Sequence, residues 1–206
     1  MIIAVDGPTA SGKGTIAKAL AAYFGLPHLD TGLLYRAVGL QCALGAGNPD
    51  DPQDALKACD FPDRLIADPE LRSEATGGLA SRVSVHPEVR AALYDLQRAF
   101  ATQPGGAVLD GRDIGTVIAP EAEVKLFVTA SVAARAERRF AEMRAGGRKV
   151  SLAEIEADLR VRDQRDSSRA TAPLVAAPDA LVLDTSFVGR DEAIAEAIRA
   201  VEMLIA

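Results

Sequence analysis

The chain has 206 residues, 49% hydrophobic and 25% charged, which is enough to bury a core without disulfides or metals and too mixed for disorder, collagen or coiled coil. Its net charge is −6, yet 18 of the 23 basic residues are arginine. Planar forks on an acidic protein point to small anionic ligands and away from a nucleic-acid surface. No apolar run reaches the roughly 18 residues of a spanning helix, and Met1 to Asp6 carries no basic leader, so a cytoplasmic chain with no membrane segment is expected.

Ile2-Ile3-Ala4-Val5 is a continuous apolar run closed by Asp6-Gly7, the pattern of a strand buried on both faces of a parallel sheet. Ile16, Leu20, Tyr23 and Phe24 follow at helical spacing, and Gly25 with Pro27 stops them. A short strand is expected near His28-Leu29. Gly45 to Glu74 holds eight acidic residues against three basic ones with weak periodicity, and reads as a partly irregular insertion. Val89, Leu93, Leu96 and Phe100 form a helical stripe, followed by apolar strands over 107–110 and 124–128. Val132, Ala136, Phe140 and Met143 form a second stripe. Arg135 to Lys149 is basic and contains the mobile turn Gly146-Gly147, and Ser151 with Glu154 reads as a capping box opening another helix. A strand over 180–183 and a stripe of Ile194, Ile198, Val201 and Ile205 close the chain.

This alternation predicts a parallel α/β sheet covered on both faces, with ligands bound beyond the carboxyl ends of its strands. Cys42, Cys59, His28 and His86 stand in no metal-binding or redox spacing and read as packing or surface residues.

Gly7-Pro8-Thr9-Ala10-Ser11-Gly12-Lys13-Gly14-Thr15 fits the phosphate-binding loop and lies between the first strand and first helix, as its mechanism requires. The glycines let successive N–H groups turn inward on a phosphate, the helix N-terminus adds positive potential, and Lys13 reaches the β- and γ-phosphates. Gly14 follows the lysine, so the hydroxyl comes one place later, at Thr15. Asp110 ends an apolar strand where it could hold metal-bound water, and with Thr15 it makes a candidate Mg²⁺ site; a strand-terminal Asp also serves as a plain turn former. Thr31 reads as a helix cap, with Arg36 a turn further on and within reach of an anion. Arg112 and Asp113 follow Asp110 at the ligand edge of the sheet, where adjacent opposite charges could also be a solvated loop pair. Arg162, Arg165 and Arg169 share one side of a helix, with Asp166 four residues beyond Arg162; a salt-bridged exposed face has the same pattern.

The Gly12-Lys13-Gly14-Thr15 variant, Asp30-Thr31-Gly32-Leu33-Leu34-Tyr35-Arg36, Asp110-Gly111-Arg112-Asp113-Ile114-Gly115-Thr116 and the run from Arg162 to Arg169 together resemble the bacterial cytidylate kinases, nucleoside monophosphate kinases, over nearly the whole length. The resemblance implies a phosphate-loop NTPase core with a five-stranded parallel sheet flanked by helices, in one kinase domain. Within it the core would comprise residues 1–30, 91–134 and 170–206, the monophosphate-binding region about 31–90 and a small lid about 135–169. It implies transfer of the γ-phosphoryl group of ATP to CMP or dCMP with Mg²⁺ in a monomer, with no nucleic-acid partner.

Carried over by position, Gly7 to Thr15, Arg135 and Arg139 would bind ATP. Thr31, Arg36, Ser81, Arg90, Arg112, Asp113, Arg162, Asp166 and Arg169 would bind CMP: Arg36 and Arg112 at the phosphate, Asp113, Ser81 and Arg90 at the base, Arg162 and Asp166 at the sugar. Lys13, Arg112, Arg162 and Arg169 would be the catalytic residues. One departure is plain: these kinases carry a β-rich insertion in the monophosphate-binding region, and here the stretch from Asp60 to Glu70 is too short for it. Another small-molecule kinase on the same core, of the shikimate type or for UMP or AMP, and an ATP-binding sensor without transfer are the rival readings.

Overall fold

The computed structural model describes residues 1–205. Its centre is a five-stranded parallel sheet with the order β2-β3-β1-β4-β5: β1 Ile2–Asp6, β2 His28–Asp30, β3 Ala107–Gly111, β4 Val124–Thr129 and β5 Leu181–Asp184. β1 lies between β3 and β4, with Val5 opposite Asp110 on one side and Leu126 on the other. The chain leaves β1 in one direction for β2 and β3 and returns across it to β4, so the order reverses beside β1, where such sheets bind ligands.

Helices α1 Lys13–Phe24, α2 Thr31–Leu44, α3 Pro52–Lys57, α4 Glu74–Val83, α5 Pro87–Ala101, α6 Val132–Ala145, α7 Leu152–Ser168 and α8 Arg190–Ile205 complete the fold. The chain divides into two compact units, Met1–Leu29 with the chain from Ala101 on, and Asp30–Phe100; α5 as far as Phe100 therefore lies in the second.

In the first unit Ile3, Val5, Leu126 and Val128 of the sheet pack with Ile16 and Leu20 of α1 and Ala197 and Val201 of α8. Each fully buried Val, Leu or Ile among them contributes about 1.5–3 kcal/mol. Ser131 caps α6, and the Ser151–Glu154 capping box opens α7 with both reciprocal hydrogen bonds formed. α6 and α7 share their own small core of Ala136, Ile155 and Leu159, with Phe140 and Met143 against it.

In the second unit Gly39 lets α4 press on α2, because a β-carbon there would stand 2.8 Å from Leu79 Cβ and 3.0 Å from the Ala80 nitrogen. The stretch after α3 forms two 3₁₀ turns, Asp63–Ala67 and Pro69–Arg72. Their Leu65 and Leu71 pack with Ala37 and Leu40 of α2, a short apolar clamp on that helix.

Several expectations need correction. Thr31 is the first residue of α2 and not its cap; Asp30 holds the cap position, without a side-chain cap bond. Tyr23 is 56% exposed and hydrogen-bonds Glu202 at 2.8 Å. In α5 the buried stripe runs Val89, Leu93, Gln97 while Leu96 is half exposed; Gln97 is admitted because its amide donates to the Leu93 carbonyl at 3.0 Å. α7 ends at Ser168, so Arg169 stands just past the helix.

Candidate active site

The phosphate loop is shaped by backbone that few residues tolerate. Gly7 (φ 152°) passes so close to β4 that a β-carbon would meet the Val128 carbonyl oxygen at 2.0 Å. Ala10 and Gly12 both have positive φ, and Gly12 then caps α1. An alanine at φ 62° is a local strain that surrounding structure must hold in place. The first turn of α1 carries no acidic residue, so its amides and positive end are left for an anion. Lys13 folds back along the loop, with Nζ 3.4 Å from the Pro8 carbonyl oxygen. Ser11 is fully buried, and its hydroxyl has no hydrogen-bond partner among the described residues.

Thr9 joins the loop to two arginines. Arg112 donates to Thr9 Oγ1 at 2.7 Å and to Asp166 Oδ2 at 2.9 Å. Arg135 donates to the Thr9 carbonyl at 3.1 Å, to the Ala130 carbonyl at 2.9 Å and, through two nitrogens, to Asp163 at 2.9 and 2.5 Å. Burial would raise the Asp166 carboxyl, but Arg112, by charge and hydrogen bond, with Arg169 and Arg162, holds it below the usual carboxylate range. The Arg112 pairing is therefore a half-buried tie from the residue after β3 to α7, not a solvated loop pair. Arg169 itself donates to the Ala172 carbonyl at 2.7 Å. Arg139, on the next turn of α6 after Arg135, reaches Glu142 at 3.3 Å.

Asp113 is 5% exposed and leads into a single π turn, Ile114–Ile118. That turn is pinned by Asp6, whose two carboxylate oxygens accept from the Ile114 and Gly115 amides, both at 2.8 Å. Burial pushes the Asp6 carboxyl up to about 7 against the pull of those two amides and of Lys13, with Asp113 adding to the rise. Asp110, 3% exposed, is the penultimate residue of β3. Its Oδ2 lies 3.5 Å from where a β-carbon on Gly14 would be, so glycine after the lysine leaves room for this carboxylate beside the start of α1.

In the second unit the monophosphate candidates cluster on α2, α4 and α5. Arg36 donates to the carbonyls of Leu71 and Ser73 at 2.7 and 2.9 Å, and its guanidinium covers Gly77. Ser81 and Arg90 are 7% and 8% exposed. Arg90 stacks over the Tyr35 ring at 5.5 Å and donates to the Ser84 carbonyl at 3.4 Å, which excludes a plain surface arginine. Thr31, 3% exposed, opens α2.

Four side chains in contact with the candidate residues were not foreseen: Asp6, Asp163, Thr185 and His28. Thr185 Oγ1 donates to the Ser11 carbonyl at 2.9 Å and receives Arg138 at 3.0 Å, and His28, read as a packing residue, meets Asp110 at 2.7 Å. Of these only Asp6 had a visible signal, a charge directly against the phosphate-loop glycine.

The sequence model of the Cytidylate kinase family matches residues 3–203. The chain is 58% identical to a cytidylate kinase of Azorhizobium caulinodans over 98% of both chains. It is 53% identical to one of Rhodospirillum rubrum over 96% of this chain and 95% of the relative. Among solved structures, an uncharacterized protein from Eubacterium ventriosum shares the fold with a TM-score of 0.57 at 15% identity over 98% of both chains. TT1252 from Thermus thermophilus does so at 0.51 and 22%, over 100% of this chain and 98% of that one.

Proposed function

Because the chain belongs to the cytidylate kinase family, we infer that it transfers the γ-phosphoryl group of ATP to CMP or dCMP, giving ADP with CDP or dCDP. The observation that carries this is the near-full-length identity to cytidylate kinases, and the phosphate loop, Asp113 and the arginines supply matching chemistry. The accepting phosphate oxygen is already an anion, so no strong general base is needed; positioning and charge neutralisation do the work.

Lys13 and the loop amides from Gly7 to Thr15 hold the donor phosphates. Arg36 and Arg112 take the acceptor phosphate, and Arg162 and Arg169 neutralise charge as the phosphoryl group passes. Asp166, kept ionised by the arginines around it, accepts from the sugar and Arg162 donates to it, while Thr31 lines the nucleotide pocket. Asp113 accepts from the cytosine 4-amino group, and Ser81 and Arg90 are assigned to the base as well, Arg90 donating toward N3 or O2; uracil would set its O4 lone pairs against the carboxylate. Residues 135–169 act as the lid over the transferring phosphates, excluding the water that would otherwise accept them. Arg139 serves ATP from that segment, and Arg135, occupied by Thr9 and Asp163, shapes the ATP site by holding the loop.

Among the described residues no group of three or more His, Cys, Asp or Glu could hold a metal by itself. A carboxylate and a hydroxyl next to nucleotide phosphates are the oxygen donors that Mg²⁺ takes, so Asp110, through water, and Thr15 would hold it. When bound, Mg²⁺ would supply charge neutralisation for the donor phosphates. Among the described residues no helix is long and apolar enough to cross a membrane. The free thiols Cys42 and Cys59 suit a reducing compartment, in keeping with a cytoplasmic enzyme, working as a monomer on ATP and CMP or dCMP.

The test is turnover with Mg·ATP and each of CMP, dCMP, UMP and AMP. Unpaired or opposed buried polar groups should give CMP about 10³-fold or more over UMP in kcat/KM. Asp113→Ala should narrow that ratio chiefly by damaging CMP use, and Arg36→Ala should lower both alike. Equal use of UMP or AMP by the native protein would refute the assignment.

A further inference from the structure

His28 and Asp110 are 82 residues apart in sequence and meet on neighbouring strands β2 and β3, with His28 Nε2 2.7 Å from Asp110 Oδ1. Their side chains are 16% and 4% exposed. A carboxylate only accepts, so the imidazole Nε2 carries the hydrogen in this bond. The other carboxylate oxygen, Oδ2, faces Gly14 at the start of α1, one residue from Thr15. The two oxygens of Asp110 thus have different duties: Oδ1 is tied to the edge strand, and Oδ2 faces the phosphate-loop helix. The final torsion of an aspartate is broad and soft on its own. A directional bond from a ring carried on a strand removes that freedom, just as hydrogen bonds from outer partners orient carboxylates around metals.

We propose that His28 is a positioning residue for the phosphoryl transfer, holding Asp110 so that Oδ2 is presented to the cation that accompanies the nucleotide. This rests on the reading of Asp110 and Thr15 as the oxygen donors for Mg²⁺. His28 touches neither nucleotide nor cation; it acts through the orientation of Asp110 alone. Leucine at this place would keep the strand and its packing while losing the donor. Glutamine would return an N–H donor at nearly the reach of the imidazole Nε2.

The experiment is calorimetric binding of a non-transferable β,γ-methylene analogue of ATP, in excess Mg²⁺ and in EDTA, to the native protein and to His28→Leu, His28→Gln and Asp110→Asn. The readout is the ratio of the two affinities, the enhancement due to Mg²⁺. His28→Leu should lower the enhancement about tenfold, the low end for losing an outer partner of a metal-binding carboxylate, with affinity in EDTA unchanged. His28→Gln should restore most of it. Should the leucine variant fail to fold, His28→Asn, polar but too short to reach Asp110, takes its place.

An undiminished enhancement in His28→Leu overturns the proposal. So does an equal loss of affinity with and without Mg²⁺, the mark of a merely structural role, and so does a glutamine variant no better than leucine. If Asp110→Asn loses the enhancement while the His28 variants keep it, the metal reading stands and only the role of His28 falls. If Asp110→Asn keeps the full enhancement, the metal reading fails and takes the proposal with it.

Discussion

Asp6 closes β1 with both carboxylate oxygens sealed under the π turn that follows Asp113, and its protonation should be visible in the stability of the whole protein. Its carboxyl is raised from an ordinary 3.8 to about 7, chiefly by burial. The folded state therefore keeps a proton that the unfolded chain has already released. The contribution of this group to stability is fullest below about pH 4, declines as pH rises through the folded value, and levels off above it. A shift of roughly three units corresponds to about 4 kcal/mol in all, of which roughly 2–3 kcal/mol falls between pH 5 and pH 8.

The assay is urea unfolding at several pH values over that range for the native protein and for Asp6→Asn. The amide turns an NH₂ toward one of the two backbone donors, so the variant should be weaker at every pH. Groups other than Asp6 are common to both proteins and cancel in the comparison. The native stability should fall with pH relative to the variant, and the gap should narrow by roughly 2–3 kcal/mol from pH 5 to pH 8. Parallel profiles would refute the reasoning, showing that the Ile114 and Gly115 amides outweigh burial and keep Asp6 ionised throughout.

Arg112→Ala should cost about 2–3 kcal/mol in unfolding at neutral pH, below the range for a fully broken buried pair because Arg162 and Arg169 still face Asp166. Adding Asp166→Asn should recover much of that loss, and strict additivity of the two would argue against the pairing. Because the folded-state value of Asp166 is depressed, its stabilisation is present at neutral pH and is lost as pH falls below the ordinary carboxylate range. Hydrogen exchange across residues 139–149 should slow when an analogue joining both nucleotides binds; unchanged protection would count against a closing lid.

The strands were legible because a sheet covered on both faces demands unbroken apolar runs, and Ile2 to Val5 and the runs at 107–110 and 124–128 can hardly serve otherwise. The phosphate loop was legible because its glycines and lysine are required by local geometry. What escaped were pairings set by topology alone. Asp6 meets Ile114 and Gly115 across more than a hundred residues, and His28 meets Asp110 only because β2 lies beside β3. Gln97 was passed over for Leu96 because periodicity cannot anticipate an amide that satisfies itself on its own helix. The position of Arg135 in a basic segment was readable, but its engagement by Asp163, 28 residues on, was not.

That engagement has a mechanical consequence. Arg135 fastens the roots of α6 and α7 to each other and to the Thr9 carbonyl, while the far end of α6 runs out to the glycine turn at Gly146 and Gly147. From Arg135 to Ala145 is ten residues, a lever arm of about 15 Å. A tilt of about 10° around that fulcrum carries the tip by roughly 3 Å while the pivot hardly moves. As a lid, the helical pair would swing through each cycle of substrate entry and product departure without the strained loop at its base having to be rebuilt between turnovers.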